Sequence, residues 1–377
     1  MEGLNTIRVL HYLPNLGLGG TEKTCQLFFE HTGKDFEVAV AYETSGDLRR
    51  LPEFERVARE RKKKLYAIDS YRDYCPGVNK RVPDPLDLQR LIDDFKPDIL
   101  HVYRSGYSEF PEPAFHVSVP HTVETNVFGF LDQNFAIKRT LFMSKWLMEY
   151  ALSGIAPISR GYVFRSKRFD FVNNPVEEPC TLARMHLDDK AIWVGRCGRP
   201  DNGIYNAVNV EAVRLLRMQG YDVRFLVVAP PSNMVADLTR YDIPFKVIEP
   251  TVDPLLLSMF YNSIDIYAHA RADGETFGVN IAEAMMHGKP VVTHVAVPSF
   301  SGIGVFQSQL ELVDNGVTGF TRNNDPVDYM NALKILIDDK ALRDSMGVRG
   351  REKALREYHV GVCVKKLENI YREVVHE

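Results

Sequence analysis

The stretch ETFGVNIAEAMMHGKPVV, residues 275 to 292, sets two carboxylates, Glu275 and Glu283, on either side of a glycine that opens a short helix. Carboxylate oxygens accept hydrogen bonds from hydroxyls, and the free N–H groups of a helix start face an anion. The segment can therefore hold a phosphate and a sugar together. The local pattern places these groups. Ile264 to Ala270 (IDIYAHA) reads as a buried strand, because its apolar run is short and rich in β-formers. A loop follows at Arg271 to Thr276, then a helix from about Val279 to His287, with Gly288 suited to the left-handed position beyond it and Pro290 preventing continuation. Glu275 then belongs at the carboxyl end of a strand and Glu283 inside the first turns of the next helix. In an open α/β sheet that crevice is where ligands bind, with the N–H groups of Gly278, Val279 and Asn280 turned to an anion. The plain alternative is a buried strand-helix unit with an incidental loop glutamate, which the flanking FG, AEAM and GKPVV disfavour.

The elements that must position these residues follow a repeating rhythm. IRVLHYL (7 to 13), FEVAVAY (36 to 42), DILHVY (98 to 103), PHTVET (120 to 125) and RTLFMS (139 to 144) read as strands separated by helical stretches. AIWVGRCG (191 to 198), VRFLVVA (223 to 229), FKVIEP (245 to 250), IDIYAHA and PVVT (290 to 293) repeat the pattern, with helices near Asn206 to Gln219 and Pro254 to Ser263. Alternation of this kind implies parallel, doubly wound sheets, so two Rossmann-like domains in tandem are expected. A chain of 377 residues is long enough for both cores. The join is expected near Asn173 to Asp189, where NNPVEEP supplies turn residues. The predicted division is residues 1–180, 181–358, and a last helical segment, 359–377.

Composition excludes several classes. Hydrophobic residues make up 45% and charged residues 25%, as in a globular protein, and a formal net charge of −4 gives no global pull toward nucleic acid. The five cysteines are odd in number and form no C-x-x-C, so neither a disulfide framework nor a zinc site is indicated. With no signal-like start and no run of about 18 apolar residues, the expectation is a cytoplasmic protein, at most peripheral to a membrane. One local exception is RRLPEFERVARERKKK, residues 49 to 64, whose charge could meet anionic lipid. A solvated helix face is the default there, and no aromatic interleaving suggests nucleic acid.

The glycine loop at Gly17, Gly19 and Gly20 invites a dinucleotide reading, which fails at Glu22. G-x-G-x-x-G needs a small residue there, and a carboxylate would repel a pyrophosphate. Thr21 is available to cap the following helix, while the glycines allow close approach to the backbone.

The ordered set LGGTEK, PDILHVYRSG (97 to 106), VPHTVETNVFGFLD (119 to 132), FMSKW, FVNNPVEEP, VGRCGRPD (194 to 201), the opening block and ELVDNGVTGF (311 to 320) resembles the family-4 glycosyltransferases, a retaining group with the GT-B fold. That resemblance implies two Rossmann-like domains facing a cleft, an acceptor side at the amino terminus, a nucleotide-sugar side at the carboxyl terminus, and a final helix, here about Val362 to Val375, crossing back. It implies transfer of a sugar from a UDP- or GDP-sugar to a glycan, glycoprotein or lipid-linked acceptor, with the nucleotide-sugar as co-substrate and no other cofactor. A GT-B epimerase or hydrolase, or an inactive sugar-nucleotide-binding protein, are the alternatives. By similarity Glu283 holds the ribose hydroxyls, Glu275 the donor sugar, and the N–H groups of Phe277, Gly278 and Val279 the sugar or distal phosphate. Gly19 and Gly20 join the donor set, and Glu249 to Leu255 resembles the loop near the base.

Cleavage of a sugar-phosphate bond leaves growing negative charge. The chain contains no D-x-D, so protein cations and helix dipoles are expected to stabilise it without metal. Arg196 and Arg199 stand after a strand where the family carries an arginine, Arg199 being the closer match. The family's lysine about five residues on falls here on Asn202 or Ile204. Its histidine six positions after a proline falls on Asn126, while His121 directly follows Pro120. Asn126 can bond a hydroxyl but cannot carry a proton. His101 and Arg104 are further candidates, with a satisfied core histidine the favoured account of His101.

Overall fold

The computed structural model describes residues 6–69, 71–75, 78–104, 116–131, 136–153, 168–297 and 305–377. They fall into two compact units, Met1–Pro175 with Val360–Glu377, and Val176–His359. The first contains β1 (Ile7–Leu13), α1 (Gly20–His31), β2 (Phe36–Glu43), α2 (Leu51–Arg61), β3 (Lys64–Ile68), β4 (Tyr71–Cys75), β5 (Val78–Pro83), α3 (Pro85–Phe95), β6 (Ile99–Arg104), β7 (His121–Asn126), β8 (Ile137–Phe142), α4 (Lys145–Leu152) and β9 (Arg168–Phe171). The second contains β10 (Ile192–Cys197), α5 (Val208–Met218), β11 (Val223–Val228), α6 (Ser232–Arg240), β12 (Phe245–Ile248), α7 (Pro254–Ser263), β13 (Ile266–Ala268), α8 (Val279–Met286), β14 (Val291–His294), α9 (Gln309–Leu312), β15 (Gly319–Arg322), α10 (Pro326–Asp338) and α11 (Lys340–Glu357). The last helix, α12 (Val360–Val374), returns to the first unit.

Each unit is built on one parallel sheet. The first has strand order β3-β2-β1-β6-β7-β8-β9 and the second β12-β11-β10-β13-β14-β15, while β4 and β5 form a separate antiparallel pair. Parallel strands covered on both faces read as continuous apolar runs, and β6 and β14 are buried at every position. Three helices start on the same Asp-Pro signal. Asp84, Asp253 and Asp325 each accept a main-chain N–H while the following proline supplies a helical φ without needing a partner. α12 buries Val360, Cys363, Val364, Leu367, Ile370, Tyr371 and Val374, a helical stripe that joins the core formed by β1, β2 and α1. The strand at 264 to 270 is shorter than its apolar run, and the β4–β5 pair has no counterpart in the alternating pattern.

The basic run resolves into parts with different tasks. Phe54 and Val57 of α2 are fully buried, with the Phe54 ring 6.0 Å from that of Phe29, so the apolar side of this helix belongs to the core. Arg50 is buried and donates to the Gly17 carbonyl (3.2 Å) and Gln26 (3.0 Å), fastening the glycine loop from behind. Arg56 is shared among Glu30, Glu53 and Glu60. Arg59, Arg61, Lys62 and Lys64 are exposed.

A buried polar network ties α12 to the first sheet. The His101 Nδ1 meets the Tyr371 hydroxyl, its Nε2 lies 2.8 Å from Thr125 Oγ1, and its ring stacks on Tyr103 at 4.7 Å. His101 is thus a satisfied core histidine. His11, its register partner on β1, reaches the Tyr103 hydroxyl at 2.9 Å. Burial, with Lys63 adding to it, holds His11 down to about 3, and burial with His11 nearby holds His101 well below its usual value. Both rings are neutral in the folded state, whereas the unfolded chain takes up protons below about 6.5. Stability should therefore fall as pH drops from 6.5 toward 3, by up to about 1.4 kcal/mol per unit for each group. Thermal unfolding between pH 7.5 and 5 should show this slope, and His11→Asn should make it shallower. Equal slopes in the two proteins would remove His11 from the account.

Candidate active site

In the second sheet the chain leaves β10 toward β11 on one side, and β13 stands on the other. Loops at the carboxyl ends of β10 and β13 therefore diverge, leaving a crevice at the switch point. Tyr267, fully buried on β13, closes the base of this crevice. Its hydroxyl donates to the Cys197 carbonyl (3.0 Å) and accepts from the Cys197 N–H (3.3 Å). Asn280 Nδ2, in the first turn of α8, donates to the same carbonyl at 2.8 Å. The end of β10 is thereby fixed to the start of α8.

Gly278 is the N-cap of α8, with φ +101° and no side chain to cap the helix. The glycine is required by this left-handed backbone as well as by any close approach of a ligand. The N–H groups of Ile281 and Ala282 return to its carbonyl, so the N–H groups of Gly278, Val279 and Asn280 head the helix. Phe277 buries its side chain edge-on to Tyr358 at 5.5 Å and offers main chain only, while Val279 is half-buried. At the other end Gly288 takes φ +68°, and Gly288 and Lys289 donate to Met285 and Ala284 in a Schellman stop.

Glu275 is held from several directions. Its Oε1 lies 3.1 Å from His269 Nε2, its Oε2 3.6 Å from Arg271, and its N–H donates to Gln309 at 3.0 Å. Burial pushes its carboxyl up, but Arg271, His269 and Arg199 outweigh this and hold it below the usual range. At neutral pH it is an anionic acceptor of hydrogen bonds. The loop carrying it is pinned to 306–308, with Phe306 and Ser308 donating to the Asp273 and Glu275 carbonyls. Glu283 is oriented by Tyr261, whose fully buried hydroxyl donates to Oε2 at 2.7 Å.

Arg196, at the end of β10, is buried, forms no ion pair among the described residues, and leaves Nη1 without a hydrogen-bond partner. Burial pushes its pKa down, opposed by the nearby Tyr267, Cys197, Glu275 and Tyr205. Arg199 is exposed in the following loop. Neither position expected for a lysine offers a cation. Asn202 accepts from the Asn233 N–H (3.0 Å) and donates to Ser232 (2.8 Å), capping α6, and Ile204 is buried.

The sequence-derived residues thus divide between the units. Arg196, Arg199, Glu275, Phe277, Gly278, Val279 and Glu283 gather around one crevice of the second unit. Gly19, Gly20 and Asn126 lie in the first. Gly19, not Thr21, is the N-cap of α1, and no side chain caps that helix. A side chain on Gly17 would meet Asp47 Oδ2 and one on Gly19 would meet Glu22, so carboxylates line this loop. Asn126 is fully buried, donating to the Phe130 carbonyl (2.7 Å) and accepting from the Gly129 N–H (2.7 Å). Its amide is committed to closing the loop after β7, which departs from the expected contact with a sugar. His121 lies at the opposite end of that strand, and Arg104 is paired with Glu124 in the interior at 2.8 Å. Tyr261, Tyr267, His269, Arg271 and Gln309 line the crevice without having been singled out from the sequence, and of Asn280 only the main-chain N–H was anticipated, not its side-chain bond to Cys197.

Residues 188–339 match the family described as Glycosyl transferases group 1. The chain is 25% identical over 223 residues to the capsular polysaccharide biosynthesis glycosyltransferase CapM of Staphylococcus aureus, covering 56% of this chain and 53% of that protein. It is 28% identical over 187 residues to a D-inositol 3-phosphate glycosyltransferase of Corynebacterium diphtheriae, covering 48% and 35%. The chain thus spans about half the length, or less, of these curated relatives. Among solved structures, a Rickettsia africae glycosyltransferase aligns with TM-score 0.72 and 13% identity, over 98% of this chain and 99% of that one. Anabaena HepE, in complex with UDP and glucose, aligns with TM-score 0.70 and 15% identity, over 97% and 99%. The fold is GT-B, and the glycosyltransferase resemblance read from the motifs is upheld by these sequence relatives.

The crevice depends on Gly274, which takes φ +70° and packs where any side chain would run into the Phe306 carbonyl. Gly274→Ala is expected to lower stability by about 3 kcal/mol or more, combining backbone strain with a steric clash. Denaturant unfolding checks this, and a loss under about 1 kcal/mol would contradict the pinned loop.

Proposed function

We propose that this chain is a glycosyltransferase that moves a sugar from a UDP- or GDP-sugar to an acceptor hydroxyl, with retention of configuration and without metal. The observation that carries the reading is Arg196, a buried guanidinium that forms no ion pair among the described residues and leaves Nη1 without a hydrogen bond, beside the uncapped start of α8. A diphosphate supplies the missing charge. The N–H groups at 278–280 would take its distal phosphate, Glu283 the ribose hydroxyls, and Glu275 the hydroxyls of the donor sugar.

In the transfer, the bond from the anomeric carbon to the diphosphate oxygen breaks while the acceptor oxygen bonds to that carbon from the same face. The acceptor proton passes to the departing phosphate oxygen. No protein base is needed, which accords with the engaged amide of Asn126, which cannot take up a proton. Arg196, Arg199 and the α8 dipole oppose the charge that grows on the leaving group. The relatives and neighbours named as sugar transferases support the class, and the UDP complex of Anabaena HepE supports UDP as a donor base. A glycan or lipid-linked acceptor is the proposed partner. Where that acceptor is lipid-linked, contact with an anionic surface falls to Arg59, Arg61, Lys62 and Lys64, since Phe54 and Val57 are occupied in the core.

Glu283→Gln should weaken UDP or GDP binding by about tenfold or more, read by calorimetry. Unchanged affinity for both nucleotides would remove the ribose role. Arg196→Met should depress turnover by about 100-fold while altering nucleotide-sugar affinity much less, because the charge it opposes develops in the transition state. Run in the same assay, EDTA should leave wild-type turnover intact. Equal losses in turnover and affinity would make Arg196 a ground-state contact, and a metal-reversible loss with EDTA would overturn the metal-free mechanism.

A further inference from the structure

Arg271 stands one residue beyond the loop's entry, where the resemblance offers no role for it, yet it is among the most constrained groups of the second unit. Its guanidinium makes a two-point pair with Asp273 (2.6 and 3.1 Å) and extends Nη1 to within 3.6 Å of Glu275. The main chain beneath it is fixed separately. The Arg271 N–H donates to His294 Nε2 at 3.2 Å, and His294 Nδ1 faces the Val295 carbonyl at 2.9 Å, which sets a neutral tautomer. Burial holds His294 down at about 4, so this anchor stays uncharged through the neutral range. The next residue, Ala272, donates its N–H to the Ile204 carbonyl at 3.1 Å. Arg271 is thus tethered beside the segment that lacks the expected lysine.

We propose that Arg271 is a positioning residue that, with Asp273 and His269, locks the Glu275 carboxylate in one orientation as acceptor for the donor sugar. This rests on the transferase reading for the ligand, but the lock itself is a property of the free protein. The two oxygens of Glu275 are held separately, Oε1 by His269 at hydrogen-bond distance and Oε2 by the charge of Arg271. His269 is held from behind by Thr293 Oγ1 at 2.8 Å, and Arg271 by Asp273, so neither can rotate without losing a buried partner. The remaining charged or titratable groups acting on this cluster are Arg196 on β10, Arg199 and Asp201 in the loop after it, and Tyr267 on β13. Among the described residues these two arginines add the positive charge, and Arg199 is exposed to solvent screening.

In the wild type the folded Glu275 carboxylate binds a proton less tightly than in the unfolded chain, which favours the native state above the carboxylate range. Arg271 is the largest of the influences that oppose burial there, so removing its charge lets the folded carboxyl bind a proton more tightly than in the wild type. The stabilisation gained as pH rises is therefore smaller in Arg271→Gln. Its melting temperature should fall further behind the wild type as pH rises from 4.5 to 7.5, by roughly 3 °C or more. Adding Glu275→Gln should abolish the growth of that gap. A gap independent of pH, or one that persists in the double variant, would assign the loss to Asp273 or to packing and overturn the proposal.

The second arm uses UDP-glucose, UDP-N-acetylglucosamine and GDP-mannose, with UDP and GDP as references. For whichever sugar nucleotide the wild type binds, Arg271→Gln should lose at least tenfold in affinity at pH 7, Arg271→Lys should recover part of it, and the matching bare nucleotide should change less than twofold. Parallel losses for nucleotide and sugar nucleotide would overturn the link to the sugar. A wild type that binds none of these ligands, with the apo pH dependence as expected, would overturn the transferase reading and the sugar role while the lock stands.

Discussion

The main chain of Cys197 is the point on which the candidate site turns. Its carbonyl receives Tyr267 from β13 and Asn280 from α8, so one peptide group joins the end of one strand, the neighbour across the switch point, and the start of a helix. Tyr267 is fully buried and Asn280 also accepts from the Ile281 N–H, so a half-buried carbonyl with two such partners is costly to disturb. Because Arg196 directly precedes this peptide, its direction is inherited from the same fastening. The helix start and the buried cation are therefore placed by one set of bonds rather than by two independent loops.

A second constraint acts on the loop between β13 and α8. Its two glycines, at 274 and 278, both occupy left-handed backbone, and the loop is held on either side of Gly274 because Phe306 and Ser308 donate to the Asp273 and Glu275 carbonyls. Gln309 completes the frame, accepting from the Glu275 N–H and donating to the His294 carbonyl. Rigid support of this kind is what lets a carboxylate remain ionised while largely buried. Solvation is replaced by fixed donors whose reorganisation cost was met when the chain folded.

Much of this was legible in the sequence, and the limits have a physical form. Alternating strands and helices read correctly as two parallel sheets, since buried strands and amphipathic helices carry their periods locally. Glu275, Gly278 and Glu283 were legible because they share one short segment. Tyr261 and Gln309 were not, because each acts on a glutamate 22 or 34 residues away and nothing in its own neighbourhood marks it. Thr21 looked like a cap, yet a glycine one turn-entry earlier took the position and the helix began sooner. Asn126 occupied the position of a family histidine, but an asparagine at a strand's end can also close the following turn, and its amide bonds to Phe130 and Gly129 do so. The basic run divides in the fold, since Phe54 and Val57 point inward and Arg56 is surrounded by glutamates, which leaves Arg59, Arg61, Lys62 and Lys64 on the solvated face that its composition suggested.

The replaced lysine and the solitary Arg196 belong to one account. Asn202 gives up cationic character to cap α6, and Ile204 gives it up to pack, so positive charge near the crevice is concentrated in arginines that other elements hold. Of these, Arg271 is paired with Asp273 and Glu275, whereas Arg196 is buried with no ion pair among the described residues. Burying a cation without an ion pair is costly, so Arg196 is kept against a penalty that its neighbours, Glu275 among them, only partly offset. The start of α8 adds main-chain donors to the same crevice, and the peptide at Cys197 fixes both. Positive potential is thereby concentrated where β10 ends and α8 begins.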